Sequence, residues 1–165
     1  MPILDAHTLE IFSRSPEHTR RIGMRLGGLL RRGDVICLQG ELGAGKTTLV
    51  QGVAQGWGSL DAVTSPTFVL VNQYRRPETD QLFHVDAYRI ESEPEAAELD
   101  LDGMLAEGAL LVEWPERFAD ILPDERLWIK MEYVDEEQRQ MRLQAGGAHY
   151  DDILADLRAA FFGAG

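Results

Sequence analysis

A glycine-rich segment followed by a lysine and a threonine is the strongest chemical pattern in the chain. Residues 40–47 are GELGAGKT and match the P-loop pattern G-x-x-x-x-G-K-[ST] in full. Glycines let such a loop curl so that its N–H groups converge on phosphate oxygens, and the following helix adds its positive end. Lys46 would reach the β- and γ-phosphates, and Thr47 would offer its hydroxyl to Mg²⁺. The segment predicts a nucleotide phosphate site; the alternative is a glycine-rich turn without a function.

The base of the nucleotide has to be argued separately from its phosphates. GTPases commonly read guanine with an Asn/Thr-Lys-x-Asp segment after a late strand. The only lysine besides Lys46 is Lys130, and its neighbours Ile129, Met131 and Glu132 do not form that segment. ATP is therefore favoured over GTP as the nucleotide.

Two acids each follow a predicted buried strand, where a P-loop protein needs the carboxylate of its metal site. Glu113 follows the apolar run 109–112, and Asp86 follows the mixed segment 82–85. We assign Glu113 as a ligand of Mg²⁺, directly or through water, together with Thr47. Asp86 is assigned to orient or activate the attacking water. For both residues the alternative is a solvated acid at the end of a strand.

Three further positions allow more than one interpretation. Thr64 begins the segment Thr-Ser-Pro-Thr, 18 residues after Lys46, where P-loop enzymes often place a switch that senses the γ-phosphate; a simple turn is the alternative. His84 has no second histidine at metal-ligand spacing, so a positioned core or rim histidine is favoured over a ligand or base. Trp114 could shield the site, contact a partner or lie in the core.

The elements that must position these residues alternate between strands and helices. Strands are predicted over 7–12, 35–39, 68–74, 82–86, 109–112, 127–133 and 141–144, and helices over 16–33, 46–55, 93–101 and 151–162, the last with aspartate caps. The strands 68–74 and 82–86 could form a hairpin. This alternation predicts one α/β domain of P-loop NTPase type over residues 1–165, with a central, mostly parallel sheet, flanking helices and a β-hairpin after the switch region.

The charge is strongly acidic and unevenly distributed. The 165 residues carry a net charge of −12, with 9 basic and 6 acidic side chains in residues 1–76 against 7 and 22 in residues 77–165. This balance argues against unaided binding to nucleic acid or to an anionic membrane. It places any phosphate-handling surface in the first half of the chain.

Cysteine content and hydropathy exclude further classes of protein. Cys37 is the only cysteine and lies in an apolar run, so a disulfide framework and a cysteine-based zinc site are excluded. No window approaches the length of a membrane span, and the first ten residues contain no long apolar stretch. We therefore expect a cytoplasmic protein.

Several motifs taken together resemble the TsaE family, the small ATPase subunit of the bacterial machinery that makes threonylcarbamoyladenosine in tRNA. They are GELGAGKTT at 40–48, SPTF at 65–68, HVDAYR at 84–89, EL at 98–99 and VEWP at 112–115. The resemblance runs from about residue 15 to residue 142. It implies ATP hydrolysis coupled to TsaB-type and TsaD-type subunits, with tRNA contacted only indirectly and no membrane involved.

The resemblance also extends the candidate site. It implies that Glu17, on the N-terminal helix, and Arg139 lie near the nucleotide. The candidate nucleotide-binding residues are then Glu17, Gly40, Leu42, Gly43, Ala44, Gly45, Lys46, Thr47, Thr48, Asp86, Trp114 and Arg139. The candidate catalytic residues are Lys46, Thr64, Asp86 and Glu113, and the candidate metal ligands are Thr47 and Glu113. The chain departs from the family pattern at Glu41 and at VDA in 85–87, where neither change removes a phosphate or metal contact.

Two other functions remain open at the level of sequence. A small-molecule P-loop kinase could use Arg75, Arg76, Arg117 and Arg126 on a transferred phosphoryl group, although no acceptor pocket or arginine-rich lid is evident. A non-catalytic module could use ATP only to order a surface for a partner.

Overall fold

The backbone forms one seven-stranded sheet with helices packed against it. The computed structural model describes residues 6–41, 43–59, 71–75, 80–87, 99–117 and 119–162. In these ranges the strands are β1 (Thr8–Ser13), β2 (Val35–Gln39), β3 (Val71–Arg75), β4 (Gln81–Asp86), β5 (Gly108–Glu113), β6 (Leu127–Tyr133) and β7 (Arg139–Ala145). The helices are α1 (Pro16–Leu29), α2 (Lys46–Trp57), α3 (Leu101–Glu107) and α4 (Ala148–Phe162).

The centre of the sheet is parallel and both of its edges are antiparallel. The strand order is β1-β7-β6-β2-β5-β4-β3. Strands β6, β2, β5 and β4 run parallel to one another, whereas β3 is antiparallel to β4, and β7 is antiparallel to both β6 and β1. This confirms the predicted α/β fold with a mostly parallel central sheet. Because parallel strands end at the same edge, the carboxyl ends of β2, β5 and β4 meet there.

Local signals account for the start of α1 and the end of α2. Ser15 caps α1 by accepting a hydrogen bond from the backbone N–H of His18 at 3.1 Å, and Pro16 occupies the first helical position. Helix α2 ends at Gly58, which adopts φ 91°. The prediction for α1 is corrected at its end, because the helix stops at Leu29 instead of continuing to residue 33.

Helices α1 and α2 pack in parallel at very short range, and glycines make this possible. A Cβ atom on Gly27 would lie 2.0 Å from the carbonyl oxygen of Val53, and one on Gly52 would lie 2.2 Å from that of Arg20. Such contacts are open only to residues without a side chain. The pairing of residue 20 with 52 places the first turn of α1, with Glu17, at the same end as the first turn of α2.

The structure corrects two predicted helices in the second half. Residues 93–98 of the predicted helix 93–101 lie outside the described residues, and the observed helix α3 starts at Leu101, where Asp100 accepts a hydrogen bond from the N–H of Gly103 at 3.0 Å. Helix α4 begins at Ala148, three residues before the predicted start. Asp151 is inside its first turn and contacts His7 at 2.7 Å, so it does not act as the cap.

Each face of the sheet carries its own core. One face places Ile36, Leu38 and Leu111 against α1 and α2, and the other places Cys37, Leu110 and Val112 against α3 and the segment near Leu122. The alternation along β2 and β5 follows from the period of two in a strand. None of the helices in the described ranges combines the length and the apolarity that crossing a membrane requires.

Candidate functional site

The loop after β2 has the backbone shape that its glycines predict. Gly43 and Gly45 adopt φ values of 85° and 95°, a region that disfavours other residues. The N–H of Ala44 donates to the carbonyl of Glu41 at 3.0 Å, which closes a turn. At Gly40, a Cβ atom would lie 2.9 Å from the carbonyl oxygen of Met131. Leu42 lies outside the described residues.

Helix α2 begins without a side-chain cap, because its N-cap residue is Gly45. The N–H groups of its first turn are therefore available to an anion, and the helix dipole favours negative charge at this end. Thr47 is exposed at this turn and Thr48 is half-buried. The arrangement fits a phosphate group above the loop.

Lys46 is buried but has no hydrogen-bond partner among the described residues. Only 6% of the residue is exposed, and its Nζ lies 4.0 Å from Oε1 of Glu113 and 4.1 Å from the ring centre of Trp114. Burial lowers the pKa of the Lys46 ammonium, while the carboxylates of Glu113 and Asp86 oppose this shift. Three donors without an acceptor in a buried site are the feature that an incoming phosphate would satisfy.

Glu113 and Asp86 are neighbours at the carboxyl edge of the sheet. They are paired residues on the parallel strands β5 and β4, and the backbone N–H of Ala87 donates to the carbonyl of Glu113 at 3.0 Å. Paired residues point to the same face of a sheet, here the face that carries α2. Glu113 is 9% exposed and Asp86 is half-buried, so the interpretation of Glu113 as a solvated acid is not supported.

Sequence reasoning did not place two residues that the structure brings to this site. His84 Nε2 lies 2.6 Å from Oε2 of Glu113, and His84 Nδ1 lies 3.1 Å from the hydroxyl of Tyr74. His84 and Tyr74 are each 2% exposed. The preference for a positioned histidine is therefore confirmed, but its partner could be found only by pairing β4 with β5.

Trp114, which follows Glu113 directly, has an unusual backbone conformation. It is the one non-glycine residue with a positive φ, 59°, among those that the structure describes. Its ring lies against the Lys46 ammonium. The ring also lines a cavity of about 370 Å³ beside the loop, which is bounded by Gln39, Gly40, Glu41, Ala44, Trp114, Glu116, Lys130, Met131, Glu132 and Tyr133. Trp114 thus lies at the site and forms one of its walls.

Arg139, which the resemblance places near the nucleotide, lies against the P-loop. A Cβ atom on Gly45 would be 3.2 Å from Nε of Arg139. The guanidinium donates to the carbonyl of Gln138 at 2.8 Å and to that of Asp135, and it stacks at 4.8 Å on the ring of Tyr133. Glu17 is exposed in the first turn of α1, at the P-loop end of the α1–α2 pair.

The predicted switch segment and the predicted metal site are the remaining parts of the candidate site. Thr64 and the switch segment 64–67 lie outside the described residues. Within the described ranges, no group of three or more His, Cys, Asp or Glu side chains is arranged to hold a metal ion. A Mg²⁺ ion at Thr47 and Glu113 would therefore need phosphate oxygens of the nucleotide to complete its coordination, as is usual for this cation.

The comparisons with known proteins point to one family. The family model described as "Threonylcarbamoyl adenosine biosynthesis protein TsaE" matches residues 13–141. The protein named tRNA threonylcarbamoyladenosine biosynthesis protein TsaE is 36% identical over 143 residues in Bacillus subtilis, covering 87% of this chain and 89% of the relative. The protein of that name in Streptomyces coelicolor is 44% identical over 115 residues, covering 68% and 78%.

A solved structure extends the agreement to the fold. The crystal structure of YdiB from Bacillus subtilis superposes with a TM-score of 0.76 at 32% sequence identity, covering 93% of this chain and 95% of that one. Together with the match over residues 13–141, this likeness extends across the P-loop and the paired acids at the sheet edge. The chain therefore belongs to the TsaE family.

Proposed function

We propose that this protein binds ATP with Mg²⁺ and hydrolyses it slowly in isolation. The observation that carries the proposal is the buried Lys46 ammonium, which faces the mouth of a P-loop and has no hydrogen-bond partner among the described residues. A buried ammonium whose hydrogens have no acceptor is costly even with a carboxylate 4.0 Å away, so such a group is expected where a ligand supplies the acceptors. The polyphosphate of a nucleotide has the complementary charge.

The residues of the site would then have separate roles in binding and hydrolysis. The loop 40–45 and the first turn of α2 would hold the phosphates through N–H groups, and Lys46 would contact the β- and γ-phosphates. Thr47 and Glu113 would hold Mg²⁺, which supplies positive charge to the phosphate oxygens when it is bound. Asp86, half-buried beside Glu113, would orient or activate the attacking water. Trp114 and Arg139 would bound the nucleotide site on either side of the loop.

The relatives support a proposed biological role. Their names place them in tRNA threonylcarbamoyladenosine biosynthesis. We infer that this chain serves the same modification as its ATP-hydrolysing subunit, together with TsaB-type and TsaD-type partners. The net charge of −12 supports contact with a basic protein surface and only indirect contact with tRNA. In this role the protein would work in the cytoplasm, where its partners modify tRNA.

Slow turnover in isolation is part of the proposal. In GTPases, a cation placed on the transferred phosphoryl group raises the rate of hydrolysis by about 10³–10⁵. Arg139 donates to the backbone carbonyls of Asp135 and Gln138, and Arg126 donates to the carbonyl of Ala119 at 3.0 Å and stacks on Trp128. Both guanidiniums are thus held by backbone carbonyls and aromatic rings, although Nε of Arg139 has no hydrogen-bond partner among the described residues. Docking on partners would supply the cation or order the switch segment.

Asp86→Asn tests the proposed mechanism in the reconstituted complex with tRNA. The change keeps the shape of the side chain and removes its charge, so ATP binding should persist. Release of inorganic phosphate and multiple-turnover tRNA modification should fall at least about tenfold, because the attacking water loses its acceptor. Binding is measured by calorimetry, phosphate by a coupled assay and modified nucleoside by chromatography.

Asp152→Asn provides the matched control, because Asp152 is an exposed acid on α4. It should leave all three measurements unchanged. Modification at the wild-type rate with Asp86→Asn, or without this subunit, would contradict the mechanism. Transfer of labelled γ-phosphate to an acceptor instead of to water would favour the kinase.

A further inference from the structure

We propose that His84, held in turn by Tyr74, is a positioning residue that orients the Glu113 carboxylate towards Lys46 and the proposed Mg²⁺ position. This inference rests on the proposed function, because it assigns the way in which a proposed metal ligand is held. Neither residue would touch the nucleotide. Both would act through Glu113.

The three side chains form a continuous hydrogen-bonded chain across three strands. Tyr74 on β3, His84 on β4 and Glu113 on β5 are joined by contacts of 3.1 Å and 2.6 Å. The exposed fraction rises only to 9% at Glu113, the member nearest the loop. Water therefore has little access to replace any of these contacts.

The hydrogen bond from His84 occupies one carboxylate oxygen of Glu113 and leaves the other oxygen available to the site. Oε2 of Glu113 is engaged by His84 Nε2, whereas Oε1 lies 4.0 Å from Lys46 Nζ. A buried carboxylate held at one oxygen has a fixed orientation, so the position of the second oxygen is also fixed. That oxygen is the one that can face a cation above the P-loop.

The hydrogens of Tyr74 and His84 can be placed so that each hydrogen bond among Tyr74, His84 and Glu113 has one donor and one acceptor. A carboxylate accepts, so His84 Nε2 must carry a hydrogen and donate it to Glu113. In a neutral imidazole Nδ1 is then an acceptor, and the Tyr74 hydroxyl is the donor that it needs. Tyr74 thus selects the form of His84 that can hold Glu113.

The strand register explains why these residues can meet. On β4, His84 and Asp86 are two positions apart and share a face, and Asp86 pairs directly with Glu113. The side chain of Glu113 therefore has Asp86 beside it and His84 one step deeper in the sheet. The two β4 residues have different roles: Asp86 serves the attacking water, and His84 holds the neighbouring acid.

The first test compares two substitutions at His84 by titrating Mg²⁺ into binding of a non-hydrolysable ATP analogue. His84→Phe keeps a ring but removes the donor, and it should raise the Mg²⁺ midpoint about 10- to 100-fold, the range found when partners of metal ligands are removed. His84→Gln places an amide donor near the Nε2 position and should recover most of the loss. A residue that only fills space would give the opposite order, because phenylalanine resembles the ring more closely.

The second test removes one hydroxyl at each of two buried tyrosines. Tyr74→Phe should raise the Mg²⁺ midpoint about two- to tenfold, as expected for the loss of one hydrogen bond. Tyr150→Phe is the matched control, because the Tyr150 hydroxyl accepts from the N–H of Val35 at 2.9 Å, at the other end of β2. It should lower stability and leave the Mg²⁺ midpoint unchanged.

A measurement without nucleotide removes any dependence on activity. The ¹⁵N chemical shifts of the His84 ring in the free protein should report a hydrogen on Nε2 and none on Nδ1. Glu113→Gln should shift the Nε2 signal, and Tyr74→Phe should shift the Nδ1 signal. A hydrogen on Nδ1 instead of Nε2 would overturn the proposed chain.

Glu113→Ala separates failure of the inference from failure of the proposed function. If Glu113→Ala leaves the Mg²⁺ midpoint unchanged, the role of Glu113 as a metal ligand fails, and the inference fails with it. If Glu113→Ala raises the midpoint but His84→Phe does not, only the inference is overturned. If both raise it, His84→Phe should add nothing in the Glu113→Ala background, because its effect passes through Glu113.

Discussion

At the residue scale, burial of the Lys46 ammonium lowers the stability of the nucleotide-free protein and places the charge where a phosphate can bind. Burial lowers the pKa of the ammonium despite the nearby carboxylates, so the folded protein without nucleotide holds this charge less favourably than water does. Lys46→Met should therefore raise the free energy of unfolding by about 1 kcal/mol, the size of other gains at functional sites. The same change should abolish tight ATP binding, because the cation facing the phosphates is lost.

Lys130→Met is the control for the stability measurement, since Lys130 is exposed and pairs with Glu132 at 3.5 Å. Its unfolding free energy should change by no more than about 0.5 kcal/mol. Chemical denaturation without nucleotide and calorimetry with ATP and Mg²⁺ provide the two measurements. A folded Lys46→Met protein that binds ATP as tightly as the wild type would refute the P-loop assignment.

At the element scale, the contact between α1 and α2 depends on glycines, and two adjacent positions on α1 test it. Gly27→Ala would place a Cβ atom 2.0 Å from the Val53 carbonyl oxygen, so the helices must move apart. We expect a loss of about 1–3 kcal/mol in unfolding free energy. Gly28→Ala meets nothing nearer than 3.8 Å, and it should gain about 0.5–1 kcal/mol from the better helix former.

Urea denaturation of both variants measures this difference. Equal changes in unfolding free energy at Gly27 and Gly28 would show that α1 can move away from α2 without loss of stability. Because α2 carries the P-loop lysine at its first position, Gly27→Ala should also weaken ATP binding, whereas Gly28→Ala should not.

At the scale of the whole molecule, stability should fall in alkaline solution because two buried acids keep their protons in the fold. Burial raises the pKa of the Cys37 thiol from 9.0 to about 12, and that of the Tyr150 hydroxyl from 10.0 to about 12. The unfolded chain releases these protons at lower pH, so the stabilisation is complete below pH 9 and is lost as the pH rises towards 12. Urea denaturation between pH 8 and pH 11 measures the decline.

Cys37→Ala should make this decline shallower, and adding Tyr150→Phe should flatten most of what remains. Cys37 lies on the central strand β2 with 0% exposure, so its thiol should react with an alkylating reagent only when the sheet opens. Labelling of the folded protein as fast as that of the unfolded chain would contradict both the burial and the pKa.

Features that depend on near neighbours in the chain could be predicted from the sequence. The P-loop motif, the bounds of β2 and β6, and the capped start of α1 follow from residues that lie within one or two turns of each other. The elements predicted least well were α3 and the start of α4. Residue type predicts Asp151 as a cap, whereas the helix already begins at Ala148 and the Asp151 side chain contacts His7, 144 residues away.

Which distant residues share the site depends on how the strands pair and fold together. Glu113 and His84 are 29 residues apart and meet because β4 and β5 pair in one particular register; a slip by one residue would turn His84 to the opposite face. Arg139 reaches Gly45 because β7 folds back along β6, beside β2. Residue types predicted the acids and the phosphate loop, since their chemistry is local. The hydrogen bonds that orient Glu113 depend on strand order and register, which the packing of the whole core sets.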